Sequence, residues 1–244
     1  MNLTYAIRLP RVALGMITLI SGAAAHAAVT YSFNSADTWN TADTVFRTTT
    51  LDPVATPPTN TAVVIGGNTL RAAQTFQVTG TGYTVTDLYI ATDDYAANAT
   101  VNFRLYSIAD AVTSTATGYY PTPIEVLWSG SFSQASANSL NQTFRIQLTG
   151  ADQFTLAANT GNAGYAFEVF TEGTTQVIDW SREASSVSST YMAYRQPLTG
   201  DPVRVDNTRN LYFAFDGVAI PEPSTYAALL GVVALGLCAL RRRR

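Results

Sequence analysis

The stretch Thr100-Val101-Asn102-Phe103-Arg104-Leu105-Tyr106-Ser107-Ile108 decides the fold. Val101, Phe103 and Leu105 fall on one face of an extended chain, and Asn102, Arg104 and Tyr106 on the other. That period of two is the mark of a strand with one face on a core and one in water. The same alternation recurs in Thr143–Leu148, where Phe144, Ile146 and Leu148 oppose Arg145 and Gln147. In Tyr165–Phe170, Tyr165, Phe167 and Val169 point inward and Glu168 outward, and Leu211–Phe215 places Leu211, Phe213 and Phe215 together. A slip of one residue in any of these strands would bury Arg104, Arg145 or Glu168, so the register is strongly specified.

Working outward, further strands are expected at Val29–Phe33, Val45–Leu51, Ala62–Ile65, Gln74–Val78, Tyr83–Ile90, Ile124–Trp128, Thr175–Trp180 and Tyr191–Tyr194. In Tyr83–Ile90 the apolar parity changes between Val85 and Leu88, which predicts a bulge near Thr86 or Asp87. Three stretches read as loops: Asp52–Asn60 with three prolines, Thr113–Pro123, and Ser181–Thr190. No segment between the termini carries helical periodicity beyond about two turns. Many short antiparallel strands with frequent turns predict an all-β, two-sheet sandwich in a single domain over residues 28–218.

The ends differ in kind. Arg8 and Arg11 precede an apolar run, Val12–Ile20, and Ala25-His26-Ala27 forms an A-x-A site. This predicts a secretory signal peptide over residues 1–27, cut after Ala27 with Ala25 and Ala27 at the cleavage site. At the other end Ala227–Leu240 is uncharged and mostly apolar. As a helix it would extend about 21 Å, near the lower limit for spanning a bilayer, and Arg241, Arg242, Arg243 and Arg244 would stay cytoplasmic.

Between the ends lie eight arginines, no lysine and sixteen acids, a charge of −8 that the whole-chain value of −3 conceals. A surface of this sign repels phosphate backbones, so no nucleic-acid partner is expected. The single histidine, His26, and single cysteine, Cys238, both lie in the end segments. The domain therefore has no disulfide, no ordinary zinc ligand set and no imidazole- or thiol-based catalytic group.

What chemistry is left falls to carboxylates and aromatics. Glu125, Glu168, Glu172 and Glu183 are the domain's glutamates, and Glu168 and Glu172 would be roughly 13 Å apart on an extended strand, too far for a glycosidase pair. Asp93 and Asp94, in a stretch expected to leave its strand, are candidate calcium ligands or simply turn residues. Tyr119 and Tyr120, adjacent in a proline-flanked loop, are candidate sugar-stacking residues. Trp128 and Trp180 fit core or rim packing better.

Pro221-Glu222-Pro223, followed by Ser224-Thr225, the apolar run and the arginines, resembles the PEP-CTERM protein-sorting domain over residues 219–244. The same tail has been catalogued as an ice-binding-protein-type C-terminal motif, a label that concerns the tail and not the domain before it. The resemblance implies a Gram-negative bacterium, an exosortase-type membrane protease as partner, transient anchoring in the inner membrane, and delivery to the cell surface, a biofilm matrix or the medium. The segments around Gln74, Tyr83 and Phe154–Phe170 have the cadence of secreted jelly-roll-like domains. Together these give the expectation of an exported, non-enzymatic surface or matrix protein without a required cofactor, associating with extracellular polysaccharide. The alternative is a carbohydrate-active enzyme working through paired carboxylates.

Overall fold

The computed structural model describes residues 29–34, 44–48, 62–66, 71–112, 120–137, 142–171, 177–183, 192–195, 203–206, 210–221 and the isolated tail positions 231, 233 and 235. The described residues from 29 to 221 form strands, with one short 3₁₀ turn at Gly150–Asp152. In chain order the strands are β1 (Thr30–Asn34), β2 (Thr44–Arg47), β3 (Ala62–Ile65), β4 (Arg71–Phe76), β5 (Tyr83–Tyr95), β6 (Thr100–Ile108), β7 (Glu125–Ser133) and β8 (Gln142–Gln147). They continue with β9 (Phe154–Leu156), β10 (Gly164–Phe170), β11 (Ile178–Glu183), β12 (Met192–Arg195), β13 (Val203–Asp206), β14 (Asn210–Leu211) and β15 (Phe213–Ala219).

Two antiparallel sheets form. The smaller has the order β13-β12-β4-β10-β6-β7. The larger runs β1-β8-β5-β11-β14, with β15 bridging β5 to β2, β3 on β11 and β9 on β5. Strand β5 is its spine, because its thirteen residues have room for two neighbours on each side. One side carries β15 and then β11, the other β9 and then β8.

The register predicted from period two is the one observed. Phe103, Phe144, Phe167 and Phe213 are wholly buried. Their rings meet between the sheets: Phe103 lies 5.4 Å from Phe144, and Phe167 lies 5.6 Å from both Phe213 and Trp180. Trp128 and Trp180 are both core residues, and the Trp180 indole N–H donates to the Tyr212 carbonyl at 2.8 Å. The bulge falls where parity placed it. Opposite β15, Asp87 pairs Asp216 and Val85 pairs Gly217, leaving Thr86 as the extra residue. Val85, Leu88 and Ile90 can then all face the core.

Gln74 is a polar residue facing the apolar core. It is buried at the core-facing position of β4 between Ala72 and Phe76. Its amide oxygen accepts the Leu211 N–H at 2.9 Å and its nitrogen donates to Asn210 Oδ1 at 3.4 Å, which ties β4 to β14 of the other sheet. A buried amide left unpaired would cost about 1–3 kcal/mol, so this bridge fixes how the sheets sit.

Several boundaries differ from the sequence expectation. Strand β5 runs five residues past Ile90, because Thr92 and Tyr95 find a partner in β11. Asp93 and Asp94 are therefore strand residues and not loop residues. Strand β7 extends to Ser133 along β6, and β11 extends to Glu183 into the stretch expected to be a loop. Strands β9 and β13 are additional; at three and four residues they carry too little periodicity to stand out. The signal-peptide residues 1–27, with Ala25 and Ala27, lie outside the described residues.

Candidate functional site

The outward face of the smaller sheet is where the sequence is least like a solvated surface. Ala73, Thr75, Tyr106, Ile108, Ala166 and Glu168 alternate with core residues yet are buried. The cover comes from the segment after β6. Ala111 and Pro121 are buried, Thr75 Oγ1 donates to the Ala111 carbonyl at 2.9 Å, and Tyr106 donates to the Pro121 carbonyl at 3.3 Å. Gly164 admits this cover: a Cβ there would lie 2.5 Å from both Ala111 Cβ and the Phe76 carbonyl oxygen.

Glu168 sits at the centre of this face. The expectation that it faces outward into water is half right: it faces outward, but it is 0% exposed. Strand pairing places Arg104 directly opposite it on β6. The Arg104 guanidinium donates to Glu168 Oε2 through Nε at 2.8 Å and also through Nη2. Arg71 reaches Oε1 at 3.5 Å from β4, and the Tyr120 hydroxyl donates to Oε1 at 2.8 Å. Both carboxylate oxygens are thus engaged, as the burial of a charge requires. Burial first, and then the adjacent Glu168 carboxylate, push the Tyr120 phenol well above its ordinary value of 10.0.

Aromatic planes hold the two guanidinium groups in place. Arg104 lies 5.1 Å from the Tyr106 ring centroid and 5.5 Å from that of Phe170, and Arg71 lies 5.7 Å from Phe170. Arg71 and Arg104 remain 33% and 27% exposed, so each presents part of its guanidinium to solvent. Two arginines around one carboxylate leave this cluster one positive charge. Chemically it offers the exposed N–H groups of two guanidiniums that are themselves seated on the buried Tyr106 ring and the half-buried Phe170 ring.

The larger sheet carries a cluster of opposite sign on its own outer face. Asp87 and Asp216 face each other across β5 and β15 and are both nearly buried. Arg145 donates to Asp87 through Nε at 2.8 Å, while Asp216 accepts from the Tyr89 and Thr44 hydroxyls at 2.9 Å each. Burial, followed by Asp216 and then Asp87, raises the Tyr89 phenol above its ordinary value. Arg145, on the water-facing side of its strand by parity, is 32% exposed and ion-paired to Asp87.

Of the residues singled out by sequence, Tyr120 joins the Glu168 cluster and is half-buried, while Tyr119 lies outside the described residues. Asp94 is half-buried in β5, where its carbonyl accepts the Thr92 hydroxyl at 3.1 Å. The Asp93 side chain is outside the described set, and among the described residues no three of His, Cys, Asp and Glu converge as metal ligands. Pro221 is exposed at the end of the described domain; Glu222, Pro223 and Arg241–Arg244 lie outside the described residues. Among the described residues no helix is long and apolar enough to cross a membrane. Arg71 and the Asp87–Asp216 pair were missed. The only sequence signal for them was their parity, which places Arg71 on the outward face of β4 with Ala73 and Thr75, and Asp87 and Asp216 on the outward faces of β5 and β15 with Tyr89 and Ala214.

These features define an all-β domain of two antiparallel sheets. Residues 219–244 match the PEP-CTERM protein-sorting motif, which marks an extracellular protein handled by an exosortase-type system. No curated protein and no solved structure matches the chain.

Proposed function

We propose that the chain is a non-enzymatic surface or biofilm-matrix protein of a Gram-negative bacterium. Its tail inserts transiently in the inner membrane until an exosortase-type protease releases the domain. The sandwich then associates with extracellular polysaccharide through the outer face of the smaller sheet, without a cofactor. The observation that carries the binding reading is the Arg71–Glu168–Arg104 cluster, with partly exposed guanidinium groups held against Tyr106 and Phe170. The jelly-roll-like reading of the sandwich belongs with this proposal. It is supported by purely antiparallel pairing and by the chain's repeated crossing between sheets, as at β4, β5 and β6. A glycan array probed with the purified domain tests the reading: binding that is lost in Arg71→Ala is expected, and an array without a hit rejects the glycan partner.

The second reading, a carbohydrate-active enzyme, is favoured by one observation, the cross-strand Asp87–Asp216 pair. It predicts glycan hydrolysis by the pure domain that disappears in both Asp87→Asn and Asp216→Asn. Hydrolysis that survives either change removes this pair from consideration.

A further inference from the structure

The last strand of the sandwich runs directly into the sorting motif. Strand β15 ends at Ala219, paired with Tyr83, and Ala219 is also the first residue of the motif match. The next residue is still pinned to the domain, since the Ile220 N–H donates to the Gly82 carbonyl at 2.8 Å. Gly82 permits this close approach: a Cβ there would lie 2.9 Å from the Leu156 carbonyl oxygen and 3.6 Å from Ile220 Cδ1. Six residues, 221–226, then separate the pinned backbone from the apolar run that starts at Ala227. Fully extended they reach about 20 Å, of which the lipid headgroup layer takes roughly 5–8 Å.

The chemistry of this end of the sandwich fits the same neighbour. The turns 77–82 and 157–163, which flank Ile220, contain no charged residue, in a domain whose net charge is −8. Exposed aliphatic side chains stand at this end of both sheets. Val218 (65% exposed) precedes the end of β15, and Ile124 (69%) and Val126 (49%) lie at the start of β7, beside the end of β6. Glu125, between the last two, is the exposed acid of this group.

From the short tether and the exposed aliphatics, we infer that the Gly82–Ile220 end of the sandwich, with Ile124 and Val218, faces and contacts the lipid surface while the tail is inserted. The inference rests on the tail insertion proposed above. The opposite end, at Ala97 and Ser136, then points away from the membrane, about 30 Å further out along the nine residues of β6. The contact surface is distinct from the Arg71–Glu168–Arg104 cluster, which stays accessible on the side of the domain.

The domain's lack of cysteine makes the test clean. In the full chain carrying Cys238→Ser, single cysteines at the exposed positions Thr79, Thr160, Ala97 and Ser136 each take an environment-sensitive fluorophore. The proteins are inserted into phosphatidylethanolamine–phosphatidylglycerol vesicles containing headgroup spin-labelled lipid. Quenching several-fold stronger at Thr79 and Thr160 than at Ala97 and Ser136 is expected. A twelve-residue Gly-Ser spacer between Ile220 and Pro221 should abolish the difference without releasing the protein. Equal quenching at the two ends, or a difference indifferent to the spacer, overturns the inference. Failure of the full chain to float with the vesicles overturns the insertion reading and this inference together.

Discussion

The Arg104 guanidinium donates through Nε, at 2.8 Å, to Glu168, a carboxylate wholly removed from water although it lies on the outside of its sheet. Outward position and solvent exposure are different properties in this domain. The difference comes from Pro121, Ala111 and Tyr120 folding back over the sheet.

Removing Arg104 should therefore be costly for a residue on an outer face. Arg104→Ala leaves Glu168 buried with only Arg71 and Tyr120, and a loss of about 2–3 kcal/mol is expected, below the range for a fully buried pair because the guanidinium is partly exposed. Urea unfolding of the domain measures it. A change under about 0.5 kcal/mol, typical of surface substitutions, would show that Glu168 is not buried as described.

The aromatic core makes a larger demand. Phe167 touches Phe103, Trp180, Phe213 and Phe215 across both sheets. Phe167→Ala should cost about 3–5 kcal/mol, and with no disulfide in the domain to limit the damage, expression is expected to fall as well. Thermal melts of Phe167→Leu and Phe167→Ala, compared side by side, should rank in that order; equal melting temperatures would refute the packing.

Gly217 follows the Thr86 bulge on the partner strand. A Cβ there would meet the Thr84 carbonyl oxygen at 2.5 Å, and that oxygen belongs to the backbone of the sheet's spine. Gly217→Ala should destabilise by about 1–3 kcal/mol. Gly161→Ala, where the added Cβ would meet nothing within 4 Å, removes instead a left-handed turn glycine with φ 63°. Its cost should be about 1 kcal/mol, from backbone conformation alone. Reversal of this order in denaturant midpoints would count against the described strand pairing.

Alkaline pH should unfold the domain through its tyrosines. Tyr89 and Tyr120 are held above the ordinary phenol value, first by burial and then by carboxylates. In the unfolded chain they ionise near pH 10 and in the folded chain only above it, so the unfolded state releases protons first. Their contribution is fully present below about pH 10 and is lost as pH rises beyond it. Absorbance at phenolate wavelengths should show a group of tyrosines, Tyr89 and Tyr120 among them, that titrate only together with the loss of sheet signal; free titration of all tyrosines in the folded domain would contradict this.

Processing supplies a mass test. From its native host, the protein should lack residues 1–27 and the arginines 241–244. Retention of Arg241–Arg244 in the mature protein rejects release by an exosortase-type protease.

How much of this was legible beforehand depends on the distance over which each property is set. The side on which Phe103, Phe144, Phe167 and Phe213 lie follows from a two-residue period, and so does the change of parity that produces the Thr86 bulge. Strand character, the absence of imidazole and thiol chemistry from the domain, and the sorting motif are likewise local or compositional, and sequence alone determined them. Tertiary structure decided what each outward side chain meets. Arg104 and Tyr120 are 64 and 48 positions from Glu168, and Asp216 is 127 from its partner Tyr89. Parity assigns these residues to an outer face, but strand order and the path of the covering segment determine whether that face is wet. The length of β5 was hidden for the same reason: past Ile90 it is held by β11, and backbone pairing between distant segments leaves no periodic trace in either one.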